Sequence, residues 1–154
     1  MRVLPDNLLT PGKITELQGE LESLKKKISK QAEEVSRLAD LGDFSENAGY
    51  QFAKGKLRGM NQRIFELEKQ LNHAEVIKPL KHSDFVEIGH TVTVLVNGKE
   101  MKYKILGSEE VDLQKGIISH QSPIGSALLG HEAGEVVEVS LPKGVAECRI
   151  IKIE

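Results

Sequence analysis

The sequence predicts an α+β protein of two domains: an N-terminal antiparallel α-helical coiled-coil hairpin, then a small antiparallel β-sheet domain with a short helix. Two observations predict the hairpin. Apolar residues recur at alternating steps of three and four along two successive segments, and a short polar segment joins them. A third observation predicts the sheet, because after Pro79 the apolar pattern becomes that of short strands with an Asn-Gly turn. We place the domains at residues 1–78 and 79–154.

The first helix is predicted over residues 13–40. Thr10 and Pro11 are typical of a helix start, since threonine caps well and proline at the first helical position lacks an N–H that would have no partner. One a/d seam follows, formed by Ile14, Leu17, Leu21, Leu24, Ile28, Val35 and Leu38. Its one polar position is Gln31, which we expect to help fix the register of the pairing.

The second helix carries a matching seam, formed by Tyr50, Ala53, Leu57, Met60, Ile64, Leu67, Leu71 and Ala74. Only residues 41–47 separate the two seams, so the helices must run antiparallel, with a turn far from the rest of the chain. Three glycines, Gly49, Gly55 and Gly59, fall within this helix, and each costs about 1 kcal/mol relative to alanine. We therefore expect the part of this helix near the turn to be the softer part of the hairpin.

The second half reads as strands around one short helix. The predicted strands are 91–96, 99–106, 135–141 and 145–153. Asn97-Gly98 between the first two is a strong hairpin signal, and Pro142-Lys143-Gly144 is the turn between the last two. Ser122-Pro123 opens a helix over residues 124–129, which Gly130 can close.

Composition excludes several classes of protein. The 154 residues include 29% charged and only 4% aromatic residues, with a net charge of −2, which disfavours a protein that coats DNA or RNA. A single cysteine, Cys148, excludes an internal disulfide and a multi-cysteine zinc site, and it should be buried in its strand. Because neither a signal peptide nor a membrane span is evident, we expect a cytoplasmic protein with no membrane partner.

The charges are unevenly placed along the chain. Residues 38–53 contain no Lys or Arg but hold Asp40, Asp43 and Glu46, whereas residues 54–63 contain four bases and no acid. Those bases are Lys54, Lys56, Arg58 and Arg63. Residues 81–154 hold 8 Lys and Arg against 11 Asp and Glu. The pattern predicts an acidic turn, a basic shaft and an acidic second domain, although exposed coiled-coil faces also carry lysines routinely.

Asp43 and Glu46, three residues apart in the turn, have two interpretations. Paired carboxylates can share a hard divalent cation such as magnesium, although a pair alone binds it poorly until a partner supplies further ligands. The same spacing is a capping box, with aspartate at the cap of the second helix and glutamate three residues later. Spacing alone leaves both interpretations open.

Several segments resemble the GreA and GreB family of bacterial transcript-cleavage factors. The resemblance begins at the turn, Leu41-Gly42-Asp43-Phe44-Ser45-Glu46-Asn47-Ala48-Gly49-Tyr50, and continues in Arg63-Ile64-Phe65-Glu66-Leu67. It recurs at Gly116-Ile117-Ile118-Ser119 and at Ser122-Pro123-Ile124-Gly125-Ser126-Ala127-Leu128-Leu129-Gly130. It covers nearly the whole chain from Leu9 onward. The chain departs from the family pattern at Gly49 and Gly55 and lacks an Arg-Pro pair in the first helix.

The resemblance implies that the chain is not itself an enzyme. It implies a second domain of FKBP-like fold that docks on bacterial RNA polymerase, at the rim of the secondary channel, through Gln121, Ser122 and Pro123. The hairpin would enter the channel, where Asp43 and Glu46 would help hold a magnesium ion shared with the polymerase and no cofactor would be bound stably. The polymerase would then cleave the 3′ end of backtracked RNA and rescue arrested complexes.

The resemblance also implies that the basic cluster Lys54, Lys56, Arg58 and Arg63 touches the nascent RNA. We expect the factor to be a monomer. Two alternatives remain: a Gre-like channel-binding regulator that does not stimulate cleavage, and a coiled-coil chaperone or prolyl isomerase. The second is disfavoured because Phe85 and Tyr103 alone could line an aromatic pocket in the second half.

Overall fold

The computed structural model describes residues 6–42, 47–78 and 84–154. The chain divides into two compact units. One comprises residues 12–74, and the other comprises residues 75–154 together with the segment up to Pro11. The first unit is helical and the second contains the strands, so the predicted fold class is confirmed.

The helical unit consists of two long helices, α1 (Pro11–Ala39) and α2 (Ala48–His73). Every residue of both predicted seams is buried or half-buried, and Leu17, Ala53 and Leu67 are fully buried. At about 1.5 Å per residue, α1 is about 43 Å long. Among the described residues, no helix is long and apolar enough to cross a membrane.

Contacts between α1 and α2 show that the helices are antiparallel. Glu20 meets Arg63 and Gln31 meets Ala53, so the pairing moves forward along α1 and backward along α2. Eight residues join the helices, and at no more than about 3.6 Å each they could not run back along the whole of α1. The short connection therefore leaves only the antiparallel arrangement.

Gln31 occupies the seam position that the sequence predicts. It is half-buried, whereas the neighbouring Ala32 is exposed. Its Nε2 donates a hydrogen bond of 2.9 Å to the backbone carbonyl of Ala53 on the other helix. Because a backbone carbonyl in a helix has a fixed position, this bond aligns α1 with α2 at one register.

The second unit contains two sheets. β1 (Leu8–Leu9) pairs in parallel with β2 (Glu75–Val76). The larger sheet has the strand order β5-β4-β3-β7-β6. Its strands are β3 (Thr91–Val96), β4 (Lys99–Leu106), β5 (Ile117–Ser119), β6 (Val136–Leu141) and β7 (Gly144–Ile153). All neighbours in it are antiparallel except β4 and β5, which are parallel.

The turn between β3 and β4 has the geometry that Asn-Gly predicts. Asn97 has φ of 50° and Gly98 has φ of 85°, and the flanking Val96 and Lys99 are paired. Two consecutive positive φ values are typical of a type I′ turn, whose twist matches that of the strands it joins.

One face of the large sheet packs against α3 (Pro123–Leu128) to form the core. The core consists of Val86, Val92, Val94, Ile105, Ile118, Leu128, Val137, Val139, Cys148 and Ile150. Cys148 is buried as expected, and burial raises the pKa of its thiol, so the reactive thiolate form is disfavoured.

Three strands, β1, β2 and β5, are not evident in the sequence. Each has only two or three residues, too few for an alternating pattern to appear. β5 also adds to β4 in parallel, so the sheet is mixed where the sequence predicted an antiparallel one. These strands form by pairing with segments that are distant in sequence, so no local sequence pattern predicts them.

We predict that replacing Gln31 by alanine lowers the free energy of unfolding by about 1 kcal/mol, because the bond to the Ala53 carbonyl is lost. Gln18→Ala, at an exposed position of the same helix, is the matched control and should stay within about 0.5 kcal/mol of wild type. Urea denaturation followed by far-ultraviolet circular dichroism measures both. Equal effects of the two substitutions would contradict a register role for Gln31.

Candidate functional site

The turn of the hairpin lies between the last residue of α1 and the first residue of α2. After Ala39 the backbone closes α1 with hydrogen bonds from Asp40, Leu41 and Gly42 to the preceding turn, and Gly42 has φ of 78°. The side chain of Leu41 is 68% exposed. Asp43 and Glu46 lie outside the described residues, so the proposed metal pair stays a prediction.

The cap of α2 is Asn47. Its Oδ1 accepts a hydrogen bond of 3.0 Å from the backbone N–H of Tyr50, and its backbone is extended, as a capping residue requires. Asparagine is a favoured cap, so the residue type of Asn47 is itself a signal for this helix start. Because α2 begins at Ala48, Asp43 is not the cap of this helix. Capping of α2 therefore does not explain why an aspartate occurs at position 43.

The four predicted basic residues do not share one surface. With about 100° of rotation per residue, Lys54 and Arg58 lie about 40° apart, whereas Lys56 lies about 160° from Lys54. Lys56 and Arg63 share the opposite flank of α2, about 20° apart. Lys54 also lies over the Tyr50 ring, with its Nζ 5.8 Å from the ring centroid.

Arg63 makes a two-pronged contact with Glu20 of α1. Its Nε and Nη2 donate to the two carboxylate oxygens at 2.7 and 2.9 Å. The hydrogen bonds from Arg63, followed by its positive charge, lower the pKa of Glu20 despite some desolvation. Arg63 thus links the two helices, and its guanidinium is engaged within the hairpin.

A cluster of three or more metal-ligating side chains is absent from the described ranges 6–42, 47–78 and 84–154. The two residues predicted to hold magnesium, Asp43 and Glu46, lie outside these ranges. Carboxylate oxygens suit this hard cation, but two of them leave most of an octahedral shell to other ligands.

The predicted docking residues lie at the start of α3. Ser122 is the helix cap: its Oγ accepts from the backbone N–H of Gly125 at 3.0 Å and donates to the Ser119 carbonyl at 2.6 Å. Gln121 and Pro123 are exposed. The Ser122 hydroxyl thus holds the turn together, and the side chains free to meet a partner are those of Gln121 and Pro123.

The N-terminal segment is bonded to this same edge, which the sequence did not reveal. Asp6 Oδ1 accepts from the Ser108 hydroxyl at 2.6 Å, and Ser108 Oγ lies 3.2 Å from Ser119 Oγ. Ser119 Oγ in turn accepts from the backbone N–H of Gln121 at 3.0 Å. A continuous chain of polar contacts therefore runs from Asp6 to Gln121, one of the predicted docking residues.

Two further groups secure that segment. Glu110 accepts from the backbone N–H of Thr10 at 2.8 Å and from its hydroxyl at 2.6 Å, just before α1 begins. The buried His120 places its Nε2 3.7 Å from Asp6 Oδ1, and within the described residues this nitrogen has no hydrogen-bond partner.

Comparison with known proteins finds matches along nearly the whole chain. Two family models match: the N-terminal domain of the GreA/GreB transcription elongation factors over residues 7–76, and their C-terminal domain over residues 81–154. Transcription elongation factor GreA of Clostridioides difficile is 42% identical over 150 residues, covering 95% of this chain and 94% of the relative. GreA of Thermotoga maritima is 37% identical over 140 residues, covering 89% and 90%.

A solved structure is also similar. The GreA factor homolog 1 (Gfh1) of Thermus thermophilus has 25% identity and a TM-score of 0.45, covering 96% of this chain and 97% of that chain.

We predict that Gly125→Ala disrupts the turn before α3, which carries the predicted docking residues. A Cβ built there would lie 2.2 Å from the Ser119 carbonyl oxygen, so the turn before α3 must shift. The expected loss is at least about 2 kcal/mol of unfolding free energy, as for other backbone clashes. Gly55→Ala is the control, since nothing lies within 4 Å of its Cβ, and it should stabilise α2 by about 1 kcal/mol. Thermal unfolding of both variants measures these changes in stability. A Gly125→Ala variant as stable as wild type would refute the clash.

We predict that Glu20→Gln destabilises the hairpin near neutral pH by about 0.5 kcal/mol, a value typical of a pair this exposed and screened by salt. Because the folded pKa of Glu20 is lowered, the stabilisation is complete above the ordinary glutamate pKa of about 4.3 and is lost as pH falls through the folded pKa. Urea denaturation at several pH values measures this difference. Glu33→Gln, at an exposed position of α1, should show a smaller change, and a pH-independent effect of Glu20→Gln would contradict the ion pair.

Proposed function

Since the chain belongs to the GreA/GreB family of transcription elongation factors, we propose that it binds bacterial RNA polymerase at the secondary channel and stimulates the polymerase's own cleavage of backtracked RNA. Arrested complexes would then resume elongation. The observation that carries the proposal is the two-helix hairpin, whose far turn contains Asp43 and Glu46. We propose that the factor acts as a monomer in the cytoplasm.

The length of the hairpin supports this function. α1 spans about 43 Å, which is long enough for the turn to reach deep into a channel. The paired seams and the Gln31 bond hold the helices at one register, which keeps the turn at one position along the shaft. A flexible loop of the same number of residues would lose this positional definition.

Asp43 and Glu46 would hold a magnesium ion jointly with polymerase ligands. When bound, such an ion supplies an activated water for hydrolysis of the RNA phosphodiester. Two carboxylates suit it as donors but leave its shell incomplete, so the chain would bind no metal tightly by itself. The factor would therefore be no enzyme alone and would activate the hydrolytic chemistry of the polymerase.

Docking would use the edge around α3. Gln121 and Pro123 are exposed at its start, and Ser122 caps the helix and keeps both neighbours in place. The Asp6–Ser108–Ser119 chain adds support from the N-terminal segment. We propose that Gln121 and Pro123 touch the polymerase and that Ser122 acts by positioning them.

Basic side chains of α2 would contact the nascent RNA. Lys54 and Arg58 share one flank, and Lys56 lies on the other beside Arg63. Because Arg63 is bonded to Glu20, its contribution to RNA contact would require this link to open. Lys54, Lys56 and Arg58 are exposed and need no such change.

Asp43→Asn tests the proposal. Because Asn47 caps α2, the substitution leaves that cap intact while removing a charged oxygen ligand. We expect stimulated release of the RNA 3′ fragment from a stalled, backtracked complex to slow at least tenfold, on the order of the loss seen when a metal site is weakened. The measurement is single-turnover cleavage at saturating factor. Asp40→Asn, an exposed acid just beyond α1, is the control and should cleave at the wild-type rate.

A competition assay for polymerase binding should show equal affinity of Asp43→Asn and wild type. Wild-type cleavage by Asp43→Asn would refute the metal role. Tight polymerase binding without any stimulation by the wild-type protein would instead select a channel-occupying regulator.

A further inference from the structure

We infer that one flank of α2 is a binding site for single-stranded RNA in which the Phe65 ring stacks on a nucleobase while Arg58 and Lys69 contact phosphates. This RNA flank consists of Lys54, Arg58, Phe65 and Lys69. The inference deepens the proposed function, on which it rests for the identity of the RNA as a transcript. It adds the aromatic residue Phe65 and the basic residue Lys69 to the RNA-contacting side chains considered above. It also assigns the RNA contact to one flank of α2.

The RNA flank is a continuous line on the helix surface. Relative to Lys54, Arg58 lies at about 40°, Phe65 at about 20° and Lys69 at about 60°, so all four fall within one sixth of the circumference. All four are exposed, and the line from Lys54 to Lys69 is about 22 Å long. Several successive nucleotides could therefore lie along it.

Phe65 lies outside the apolar seam of the hairpin and is mostly exposed. The seam beside it is formed by Ile64 and Leu67, and the Phe65 side chain is 62% exposed. An aromatic ring of this kind on a positively charged surface is the arrangement with which proteins stack the bases of single strands. The exposed apolar ring and the charges around it are thus explained by one ligand.

The charges on the RNA flank are available. Within the described residues, the side chains of Arg58 and Lys69 have neither an ion-pair nor a hydrogen-bond partner. The nearest acids along α2 pair with other basic residues: Glu66 lies 3.8 Å from Arg63, and Glu68 lies 3.1 Å from Lys25 of α1. The flank therefore presents positive charge without internal compensation, which is complementary to a phosphate backbone.

Single-stranded RNA fits the flank better than the other polyanions do. A duplex hides its base faces, so it would leave Phe65 without a stacking partner. An acidic protein surface would pair with the basic side chains of the flank but would leave the Phe65 ring without a stacking partner. The opposite flank is less suitable, because there Phe52 is accompanied by Lys56 and by an Arg63 that is bonded to Glu20.

The test is fluorescence anisotropy of the full-length protein with a labelled 12-nucleotide single-stranded oligouridylate, without polymerase. A 12-residue abasic oligomer with the same phosphates is the second probe. Phe65→Ala should weaken binding of the oligouridylate about tenfold, the loss expected for one stacked base, and leave the abasic oligomer unchanged. Phe65→Trp should retain wild-type affinity. Phe52→Ala, which removes the exposed ring of the other flank, should stay within twofold of wild type.

The charges are tested by salt dependence. Arg58→Gln combined with Lys69→Gln should reduce the slope of log affinity against log salt by about 1.4, since each phosphate contact contributes about 0.7 for single strands. Asp43→Asn should bind the oligouridylate as wild type does, so failure of cleavage and failure of RNA binding can be told apart.

Three results would overturn the inference. The first is absence of wild-type binding to the oligouridylate at millimolar protein. The second is a Phe65→Ala affinity within twofold of wild type. The third is an equal loss for the abasic oligomer, which would show that the ring acts on something other than bases, as in contact with an acidic protein surface.

Discussion

The parallel pairing of β1 with β2 is the constraint on which the rest of the structure depends. β1 runs directly into α1 and β2 follows α2, so this short ladder joins the start and the end of the hairpin. Glu75 N–H donates to the Asn7 carbonyl at 2.9 Å, and Ile77 N–H donates to the Leu9 carbonyl at 2.8 Å. Leu9 is almost fully buried, so the ladder is also anchored by apolar packing.

The close approach of β1 to the rest of its unit explains one glycine. A Cβ at Gly107 would lie 2.4 Å from the Leu8 carbonyl oxygen, so only glycine lets the N-terminal segment pass. The Glu110 carboxylate accepts hydrogen bonds from the backbone N–H and the hydroxyl of Thr10, and the Ser108 hydroxyl donates to Asp6. These hydrogen bonds tie the entry of α1 to the turn after β4, and Ser108 of that turn also lies beside Ser119, next to the predicted docking residues.

Local sequence pattern predicted several features of the structure but did not place charged side chains in space. The Gln31 position, the Ser122 cap and the burial of Cys148 follow from local pattern, and each is observed. The grouping of Lys54, Lys56, Arg58 and Arg63 followed sequence proximity, whereas helix rotation sends Lys56 to the opposite flank. The engagement of Arg63 could not be predicted, because its partner Glu20 lies 43 residues away.

The sequence by itself determined both long helices, their antiparallel pairing, the Asn-Gly hairpin and the helix at Ser122, because periodicity and turn chemistry act over a few neighbouring residues. The sequence motifs also showed the resemblance to the GreA/GreB family, which the matches to both family models confirm. Only the tertiary structure decided that β5 joins β4 in parallel, that Asn47 caps α2, and that Asp6 reaches Ser108. Pairing between β4 and β5 and between Asp6 and Ser108 joins segments far apart in the chain. The choice between capping residues a few positions apart depends on where the backbone enters the helix.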